Sequence, residues 1–299
     1  MITIDKVTKT YNKGKVTAVD GVSLEVGPGE LFGLIGPDGA GKTTIFRILT
    51  TLLLADKGAA TVNGFDVVKD YAKIRSSVGY MPGRFSLYQD LTIEENLQFF
   101  ATVFGTSIRE NYDLIKDIYQ QIEPFKDRRA GKLSGGMKQK LALCCALIHK
   151  PAVLFLDEPT TGVDVVSRKE FWEMLGRLKA EGITILVSTP YMDEANRCDR
   201  IALMQKGQLL SIDTPGGIIG QFPVELYAVH SANTHKLLQE VRGYEGTDSC
   251  FAFGDALHVT FKEGAAGLAG YLRDRGLDDA SIGKITPGIE DCFIRLLKN

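Results

Sequence analysis

The glycine-rich segment at residues 36–43 constrains the fold of this chain more than any other feature of its sequence. It reads Gly-Pro-Asp-Gly-Ala-Gly-Lys-Thr and matches the pattern G-x-x-x-x-G-K-[ST]. The apolar run 31–35 before it predicts a buried strand. After it, apolar residues recur at the spacing of one helix face: Ile45, Ile48, Leu49 and Leu52. A strand, a glycine loop and a helix in this order predict a loop whose backbone N–H groups bind phosphate at a helix N-terminus.

Each residue of this loop has a predicted role in binding a nucleotide. Lys42 is expected to reach the β- and γ-phosphates, and the Thr43 hydroxyl to ligate Mg²⁺. Thr44 is expected to add a phosphate contact. The full predicted phosphate-binding set is Gly36, Pro37, Asp38, Gly39, Ala40, Gly41, Lys42, Thr43 and Thr44. The alternative is an ordinary glycine turn between a strand and a helix.

Two acidic residues follow a second apolar run. Val153–Leu156 predicts a buried strand, and Asp157 and Glu158 come directly after it. The carboxyl ends of parallel strands form the ligand crevice of an α/β sheet. Asp157 is therefore predicted to bind the metal, and Glu158 to act as the general base that polarises an attacking water. The alternative is that these acidic residues only favour the start of a helix.

A third motif at residues 133–140 reads Leu-Ser-Gly-Gly-Met-Lys-Gln-Lys. Ser134, Gly135 and Gly136 at the start of a predicted helix form a second anion-binding terminus. One nucleotide needs only one such cradle. Two cradles in one chain predict a head-to-tail dimer, in which this segment closes over the nucleotide bound by the other chain.

Charge and cysteine content exclude several classes of protein. The 35 Lys and Arg residues against 37 Asp and Glu give a net charge of −2, which offers no general attraction to nucleic acid. The five cysteines form no C-x-x-C pair, so neither a disulfide framework nor a zinc site is indicated. The sequence shows no signal peptide and no apolar run of about 18 residues. We therefore expect a cytoplasmic chain whose membrane role, if any, is through partners.

The pattern of elements divides the chain near residue 215. Apolar runs and helical patterns alternate before that point and predict an α/β domain over residues 1–215, with further strands at 183–187 and 201–204. Turn residues at 213–217 mark the boundary. Residues 216–299 predict a small α+β domain in the order β-α-β-β-α-β, as in a ferredoxin-like module, with a final helix. Its predicted elements lie at 224–230, 235–241, 251–253, 257–261, 265–275, 281–285 and 289–297.

The three motifs, in this order, resemble those of the nucleotide-binding subunits of ATP-binding cassette (ABC) transporters, over about residues 1–215. The resemblance implies a P-loop NTPase cassette with a helical subdomain at about 92–145, which binds ATP and Mg²⁺ and hydrolyses ATP. It implies membrane-spanning partner subunits and a second cassette subunit, either identical or different. Tyr11 matches the aromatic residue on which such subunits stack adenine; the alternative is an ordinary edge-strand tyrosine.

The segment 287–293, Pro-Gly-Ile-Glu-Asp-Cys-Phe, resembles the tail of subunits that energise type-two exporters of drugs, polyketides and polysaccharides. The segments 36–40, 79–82 and 85–88 resemble the multidrug-export branch. The resemblance places the chain at the inner face of the membrane through its partners, which would dock in a groove beginning near Gly83–Leu87. The transported substrate is not encoded here, because a cassette subunit does not contact it.

Two positions depart from the family pattern. Gly83 stands where the family has a glutamine that contacts Mg²⁺ and the attacking water. Pro190 stands where it has a histidine that hydrogen-bonds the γ-phosphate. Gln89 is the one nearby glutamine that a shifted loop could recruit. The departures predict a site that binds ATP and hydrolyses it slowly.

Three readings of function follow. The leading one is the ATPase subunit of an exporter. The second is a nucleotide-binding subunit whose own site is slow or inactive and which completes the site of a different cassette subunit. The third, a cassette ATPase that works on nucleic acid, is disfavoured because the sequence has no second cassette and no basic tract. For the C-terminal domain, regulation, dimer stabilisation and partner docking are all open.

Overall fold

The computed structural model describes residues 1–298 and divides the chain into two compact units. The first unit comprises Met1–Pro215, and the second begins at Gly216. Each unit has a hydrophobic core of its own. Among the helices within residues 1–298, none has the length and apolar character that crossing a membrane requires.

The first unit is built from two sheets and the helices around them. Its strands are β1 (Ile2–Tyr11), β2 (Val16–Val26), β3 (Leu31–Ile35), β4 (Lys57–Val62), β5 (Phe65–Asp66), β6 (Val78–Met81), β7 (Val153–Asp157), β8 (Thr184–Thr189), β9 (Arg200–Gln205) and β10 (Gln208–Asp213). Its α-helices are α1 (Lys42–Leu49), α2 (Tyr71–Ser77), α3 (Ile93–Val103), α4 (Tyr112–Tyr119), α5 (Gly135–Leu147) and α6 (Val165–Ala180). Short 3₁₀ helices span Glu123–Phe125, Ala130–Lys132 and Met192–Arg197.

The larger sheet has the strand order β10-β9-β3-β8-β7-β6. All of its pairs are parallel except β10 with β9. Every residue of β3, β7 and β8 is buried, because both faces of these strands are covered. This burial explains why their sequences are continuous apolar runs without alternation. The predicted central strands are confirmed, with bounds shifted by at most two residues.

The strand register brings three chain segments to one edge of the sheet. Ile35 pairs with Thr189, and Asp157 pairs with Ser188. The carboxyl ends of β3, β7 and β8 therefore meet, and the loop after β3 lies beside the residues that follow the other two strands. This edge is the ligand crevice that parallel α/β sheets provide.

The smaller sheet has the antiparallel order β2-β1-β4-β5. Strand β1 lies between β2 and β4, but its pairing with β4 ends at Thr8, and Tyr11 pairs only with Val16 of β2, so the alternative of an edge-strand tyrosine stays open. The helical part of the unit contains α3, α4 and α5. Helix α3 starts with a capping box, in which Thr92 and Glu95 exchange hydrogen bonds between side chain and backbone.

One expectation about helix α1 is wrong. Leu52 was expected to continue the apolar face of Ile45, Ile48 and Leu49, but the helix ends at Leu49 and Leu52 is 58% exposed. The backbone leaves the helix at Thr51, which has φ +62°, so the periodicity of the helix no longer sets the direction of the next side chain. Leu53 packs against the core instead.

The second unit is a four-stranded antiparallel sheet with helices. Its elements are α7 (Pro215–Gly220), β11 (Leu226–His230), α8 (Thr234–Gly243), β12 (Thr247–Phe253), β13 (Ala256–Phe261), α9 (Leu268–Arg273), β14 (Ser281–Ile285) and α10 (Ile289–Leu296). The sheet order is β12-β13-β11-β14. Side chains of α8 and α9 pack on one face, and His258 and Thr260, which point to the other, line a small cavity with residues of α10. The predicted likeness to a ferredoxin-like module agrees with this order and stays a prediction.

The ends of two predicted helices in this unit are wrong. The predicted helix at 265–275 is shorter and starts at Leu268, because Gly267 before it has φ +93°. The predicted helix at 289–297 places Ile289, Cys292, Phe293, Leu296 and Leu297 on one apolar face; the first three are buried, but Leu297 follows the helix and is 47% exposed.

Candidate functional site

The loop between β3 and α1 is built around bare backbone. A Cβ atom at Gly36 would lie 2.2 Å from the carbonyl oxygen of Met204, and one at Gly41 would lie 2.2 Å from that of Ala18. Gly41 also has φ +108°, which side-chain-bearing residues rarely adopt. Only glycine fits at these two positions. Asp38 and Gly39 form the exposed tip of the loop.

Lys42, the first residue of α1, extends its side chain into this loop. Its ammonium donates hydrogen bonds to the carbonyl oxygens of Gly36 at 2.7 Å and Pro37 at 3.0 Å. It also lies 3.0 Å from Oε1 of Glu158. The Lys42 side chain is 2% exposed, and its charge is therefore held in the space that the loop encloses.

Two threonines and one tyrosine lie at the start of α1. Thr43 is half-buried and Thr44 is buried. The Tyr11 hydroxyl lies 3.4 Å from Oγ1 of Thr44. The end of β1 therefore brings the Tyr11 ring beside the phosphate-binding loop, although Tyr11 and Thr44 are 33 positions apart in the sequence.

Asp157 and Glu158 follow β7 on the same edge of the sheet. Asp157 is buried, and its Oδ1 accepts a hydrogen bond from the Ser188 hydroxyl at 2.7 Å. The Glu158 backbone has φ +51°, a conformation that is uncommon for a residue with a side chain. Its N–H donates to the carbonyl oxygen of Ser188 at 3.1 Å and to the Ser188 hydroxyl at 3.0 Å. Burial and the Asp157 charge raise the pKa of the nearby Tyr80 to about 12.

The two positions that depart from the family pattern also lie at this edge. A Cβ atom at Gly83 would lie 3.0 Å from the carbonyl oxygen of Asp157. Pro190 directly follows β8 and has no N–H to donate. The structure places Gln89 beside Gly131, with its backbone oxygen accepting the Gly131 N–H at 2.9 Å.

The Ser134–Gly136 segment has different neighbours from the phosphate-binding loop. Ser134 caps α5, and its hydroxyl accepts the Met137 N–H at 3.3 Å. A Cβ atom at Gly135 would lie 3.2 Å from the oxygen of Gly162, and one at Gly136 would lie 2.8 Å from Oγ of Ser167. The structure thus joins Tyr11, the loop, Asp157 and Glu158 into one site, and places this segment against the residues that precede and begin α6.

Sequence reasoning missed the residues that hold β8 to the site. Besides Ser188, Glu194 is 3% exposed, and its Oε2 accepts hydrogen bonds from Thr189 at 2.5 Å and Thr160 at 3.1 Å. Arg168 lies 3.7 Å from the other Glu194 oxygen. The acidic pattern of segment 193–194 was the only signal in the sequence, and it did not reveal these partners.

Away from the nucleotide site, an apolar groove with a volume of about 400 Å³ lies beside β6, the segment that follows β6, and α5. Its apolar lining includes Phe85, Leu87, Phe100 and Phe104. The His149 ring stacks on Phe104 with centroids 3.8 Å apart, and burial lowers the pKa of His149 below its usual range. This groove begins in the segment where the resemblance implied partner docking.

Three comparisons place the chain among known proteins. The family described as "ABC transporter" matches residues 19–161, which contain the loop, the Ser134–Gly136 segment and Glu158. The probable multidrug ABC transporter ATP-binding protein YbhF of Escherichia coli (strain K12) is 38% identical over 302 residues, covering 99% of this chain and 52% of that protein. The chain thus spans about half the length of that relative.

The daunorubicin resistance ATP-binding protein DrrA2 of Streptomyces coeruleorubidus is 36% identical over 294 residues, covering 95% of this chain and 91% of that protein. A solved dimeric structure of an ATP-binding cassette, in a post-hydrolysis state bound to ADP and Pi, aligns with a TM-score of 0.65 and 25% identity. That alignment covers 72% of this chain and 98% of the solved one. By its sequence, its fold and its site, the chain belongs to the ABC transporter family, as one of its ATP-binding cassettes.

Proposed function

We propose that the chain is the ATP-binding, ATP-hydrolysing subunit of an ABC exporter and works as a dimer with membrane-spanning partner subunits. The observation that carries this proposal is the meeting of Lys42, Asp157 and Glu158 around a glycine loop at one sheet edge. Relatives named for multidrug transport, daunorubicin resistance and Nod factor export support the direction of transport. We place the chain at the inner face of the membrane, held there by its partners.

The site residues fit ATP and Mg²⁺. Gly36 and Gly41 let the loop pack directly on the backbone of Met204 and Ala18, and the buried Lys42 ammonium supplies the positive charge that phosphate binding requires. The Thr43 hydroxyl and the Asp157 carboxylate are oxygen ligands of the kind that Mg²⁺ prefers, and they would hold it. Bound Mg²⁺ would neutralise charge that develops on the phosphates.

Lys42 and Glu158 would change partners when ATP binds. The Lys42 ammonium exchanges the carbonyl oxygens of Gly36 and Pro37 for β- and γ-phosphate oxygens. Glu158, released from its 3.0 Å contact with Lys42, accepts a proton from the water whose oxygen bonds to the γ-phosphorus, while the bond from that phosphorus to the β–γ bridging oxygen breaks and ADP leaves. Tyr11 stacks on the adenine at the side of the loop.

The second cradle serves the partner cassette. Ser134, Gly135 and Gly136 bind the γ-phosphate of the nucleotide held by the other subunit, because their own neighbours are Met137 and the start of α6. Two ATP molecules between the subunits then close the dimer, and hydrolysis reopens it. The apolar groove lined by Phe85, Leu87, Phe100 and Phe104 receives a segment of the membrane subunit.

The nature of residues 83 and 190 supports a second candidate. Gly83 and Pro190 have no side-chain donor to aim at the transition state, and removal of one such donor typically slows a reaction about 10²–10³-fold. In this candidate, the chain hydrolyses ATP slowly in its own site and completes the active site of a different cassette subunit. Both candidates share ATP binding, the dimer and the membrane partners.

The test of a dimer made of two copies of this chain is ATP-driven dimerisation of the purified chain, measured by light scattering. Glu158→Gln blocks hydrolysis and is expected to give a stable dimer with MgATP. Adding Gly135→Asp places a negative charge at the second cradle and is expected to abolish that dimer. The control is Gly176→Asp, which adds the same charge at an exposed position in α6 with no heavy atom within 4 Å of its Cβ. A Glu158→Gln chain that stays monomeric at saturating MgATP rules out a dimer of two identical cassettes and leaves the second candidate, in which the partner is a different cassette subunit.

Membrane partners are tested by co-purification. The tagged chain, purified in detergent from the membranes of its own cells, is expected to retain membrane-spanning subunits. Replacing Phe100 with Asp in the groove is expected to release them without preventing ATP binding. Retention of ATP binding and dimerisation with no membrane subunit captured would reject the transport role and leave the ATPase role intact.

A further inference from the structure

We propose that Ser188 is a positioning residue of the ATPase site, whose hydroxyl orients the Asp157 carboxylate and fixes the peptide group of Glu158. The proposal rests on the proposed function and concerns a residue to which nothing in the motif pattern assigns a role. Its basis is that one buried hydroxyl makes hydrogen bonds to both acidic residues of the site, at 2.7 and 3.0 Å.

The direction of both hydrogen bonds is fixed by the chemistry of the groups. An ionised carboxylate can only accept, so the Ser188 hydroxyl donates its proton to Oδ1 of Asp157. The backbone N–H of Glu158 can only donate, so the hydroxyl oxygen accepts it. The hydroxyl therefore makes one donated and one accepted bond, and its rotation is fixed by Asp157 and Glu158 together.

These bonds act where the site most needs support. Asp157 is 2% exposed, and a donor on Oδ1 fixes the rotation of the carboxylate that would hold Mg²⁺. Outer partners that orient metal ligands are commonly worth 10–100-fold in metal affinity or activity. Glu158 has φ +51°, a conformation that persists only where its surroundings hold it. The carbonyl oxygen and the hydroxyl of Ser188 both bind its N–H and provide that support.

The identity of residue 190 makes this contact more important. In the family pattern, a histidine after β8 orients the base; here Pro190 has neither a ring nitrogen nor a backbone N–H to offer. Ser188 lies two residues earlier, is fully buried, and pairs with Asp157 across the β7–β8 ladder. Strand β8 thus still supplies an orienting group to the base. The group comes from Ser188, a buried residue within the strand, and not from the residue after the strand.

The test compares Ser188→Ala with Ser188→Thr and a matched control. Ser188→Ala removes the hydroxyl and is expected to lower kcat about 10–100-fold, with little change in KM for ATP. It is also expected to raise, by a similar factor, the Mg²⁺ concentration at which a fluorescent ATP analogue is half-bound. Ser188→Thr keeps the hydroxyl in a residue that suits a strand, and is expected to recover most of both losses.

The matched control is Thr184→Val at the other end of β8. Thr184 is also buried, and its hydroxyl accepts the N–H of Gly29 at 2.9 Å, away from the site. Its loss is expected to lower the unfolding temperature without changing the Mg²⁺ dependence of ATP binding. A purely structural role for Ser188 would make the two variants behave alike.

The outcomes separate this proposal from the proposed function. Wild-type kcat and wild-type Mg²⁺ dependence in Ser188→Ala, with Glu158→Gln inactive, overturn the role of Ser188 and leave the ATPase role standing. Wild-type chain that neither binds nor hydrolyses ATP overturns the proposed function itself. If Ser188→Ala does not fold, Ser188→Cys, which keeps the side-chain size but has a weak donor, is measured in the same way, and wild-type values there also overturn the proposal.

Discussion

Backbone contacts at single residues define the shape of the nucleotide loop. Gly36 and Gly41 each face a carbonyl oxygen at a distance that no Cβ atom tolerates. The Lys42 ammonium is held by carbonyl oxygens of the same loop and by Glu158. Replacing a glycine of the loop would change the shape of the loop, and replacing Lys42 would remove the positive charge that faces a bound phosphate. The two effects can be measured separately.

Gly36→Ala is expected to weaken ATP binding strongly. Its methyl group would lie 2.2 Å from the backbone oxygen of Met204, and no rotamer change relieves a contact with backbone. We expect at least about a tenfold loss of affinity in isothermal titration with ATP. The control is Gly176→Ala, in the exposed part of α6, which is expected to keep ATP binding and to stabilise the chain by about 0.5–1 kcal/mol. Unchanged affinity in Gly36→Ala would show that the loop moves away from Met204.

Tyr11→Ala is expected to weaken ATP binding by about tenfold, because an aromatic stack on a base is worth about 1–3 kcal/mol. Tyr11→Phe keeps the ring and loses only the 3.4 Å contact with Thr44, so it is expected to bind ATP nearly as the wild type does. The measurement is the dissociation constant of both variants for ATP and for inorganic triphosphate, which has no base. Equal losses for the two ligands would contradict a stacking role.

Strand order and helix caps position the site at the scale of elements. The parallel register of β3, β7 and β8 brings the loop, Asp157 and Ser188 together.

In the second unit, side chains hold the final helix α10 to the sheet. His258 lies 2.7 Å from Asp291, and Arg295 donates to Asp248 at 2.6 Å. The segment 287–293, which resembles the tail of exporter subunits, thus contains the start of α10, and polar contacts hold this helix to the sheet.

The contact between Asp248 and Arg295 predicts a pH effect on stability. The Arg295 hydrogen bond holds the pKa of Asp248 below its usual range, so the folded chain favours the ionised carboxylate. This stabilisation is present above about pH 4 and is lost as the pH falls through the lowered pKa. We expect the difference in free energy of unfolding between the wild type and Asp248→Asn to be largest near neutral pH and to shrink below pH 4. A difference that does not change with pH would contradict the assignment.

The sequence predicted the parts of the site that depend on local order. The central strands, the loop and the acidic pair follow from runs of a few residues, and the structure has them within one or two positions. Leu52 was predicted wrongly because the φ of Thr51 ends the helix pattern. The role proposed for Ser188 was not predictable, because it depends on the register between β7 and β8, which are about 30 residues apart.

At the scale of the whole molecule, each of the two units has its own packed core, and every cysteine thiol is buried away from solvent. The cysteines are free and buried in both units, and burial raises the pKa of each thiol; they are Cys144, Cys145, Cys198, Cys250 and Cys292. Because the thiolate is the reactive form, such thiols react slowly while the protein is folded. Their reactivity therefore reports whether both cores are intact.

The native chain is expected to react with Ellman's reagent far more slowly than the chain unfolded in guanidinium chloride. The unfolded chain should release five equivalents of thionitrobenzoate, one for each cysteine. Val103→Cys places a thiol at a position that is 61% exposed, and is expected to add one fast equivalent. A fast equivalent in the native wild type would contradict the packing described for one of the units.

The claim most directly open to measurement is the proposed ATP hydrolysis in the chain's own site, which the second candidate takes to be slow because residues 83 and 190 offer no side-chain donor. Its most direct test is steady-state turnover at saturating MgATP for the wild type, Glu158→Gln and the double variant Gly83→Gln/Pro190→His. Both candidates predict turnover that Glu158→Gln abolishes, and the second predicts a rise on the order of 10²-fold in the double variant. Wild-type turnover that is abolished by Glu158→Gln yet equals or exceeds that of the double variant would contradict the second candidate.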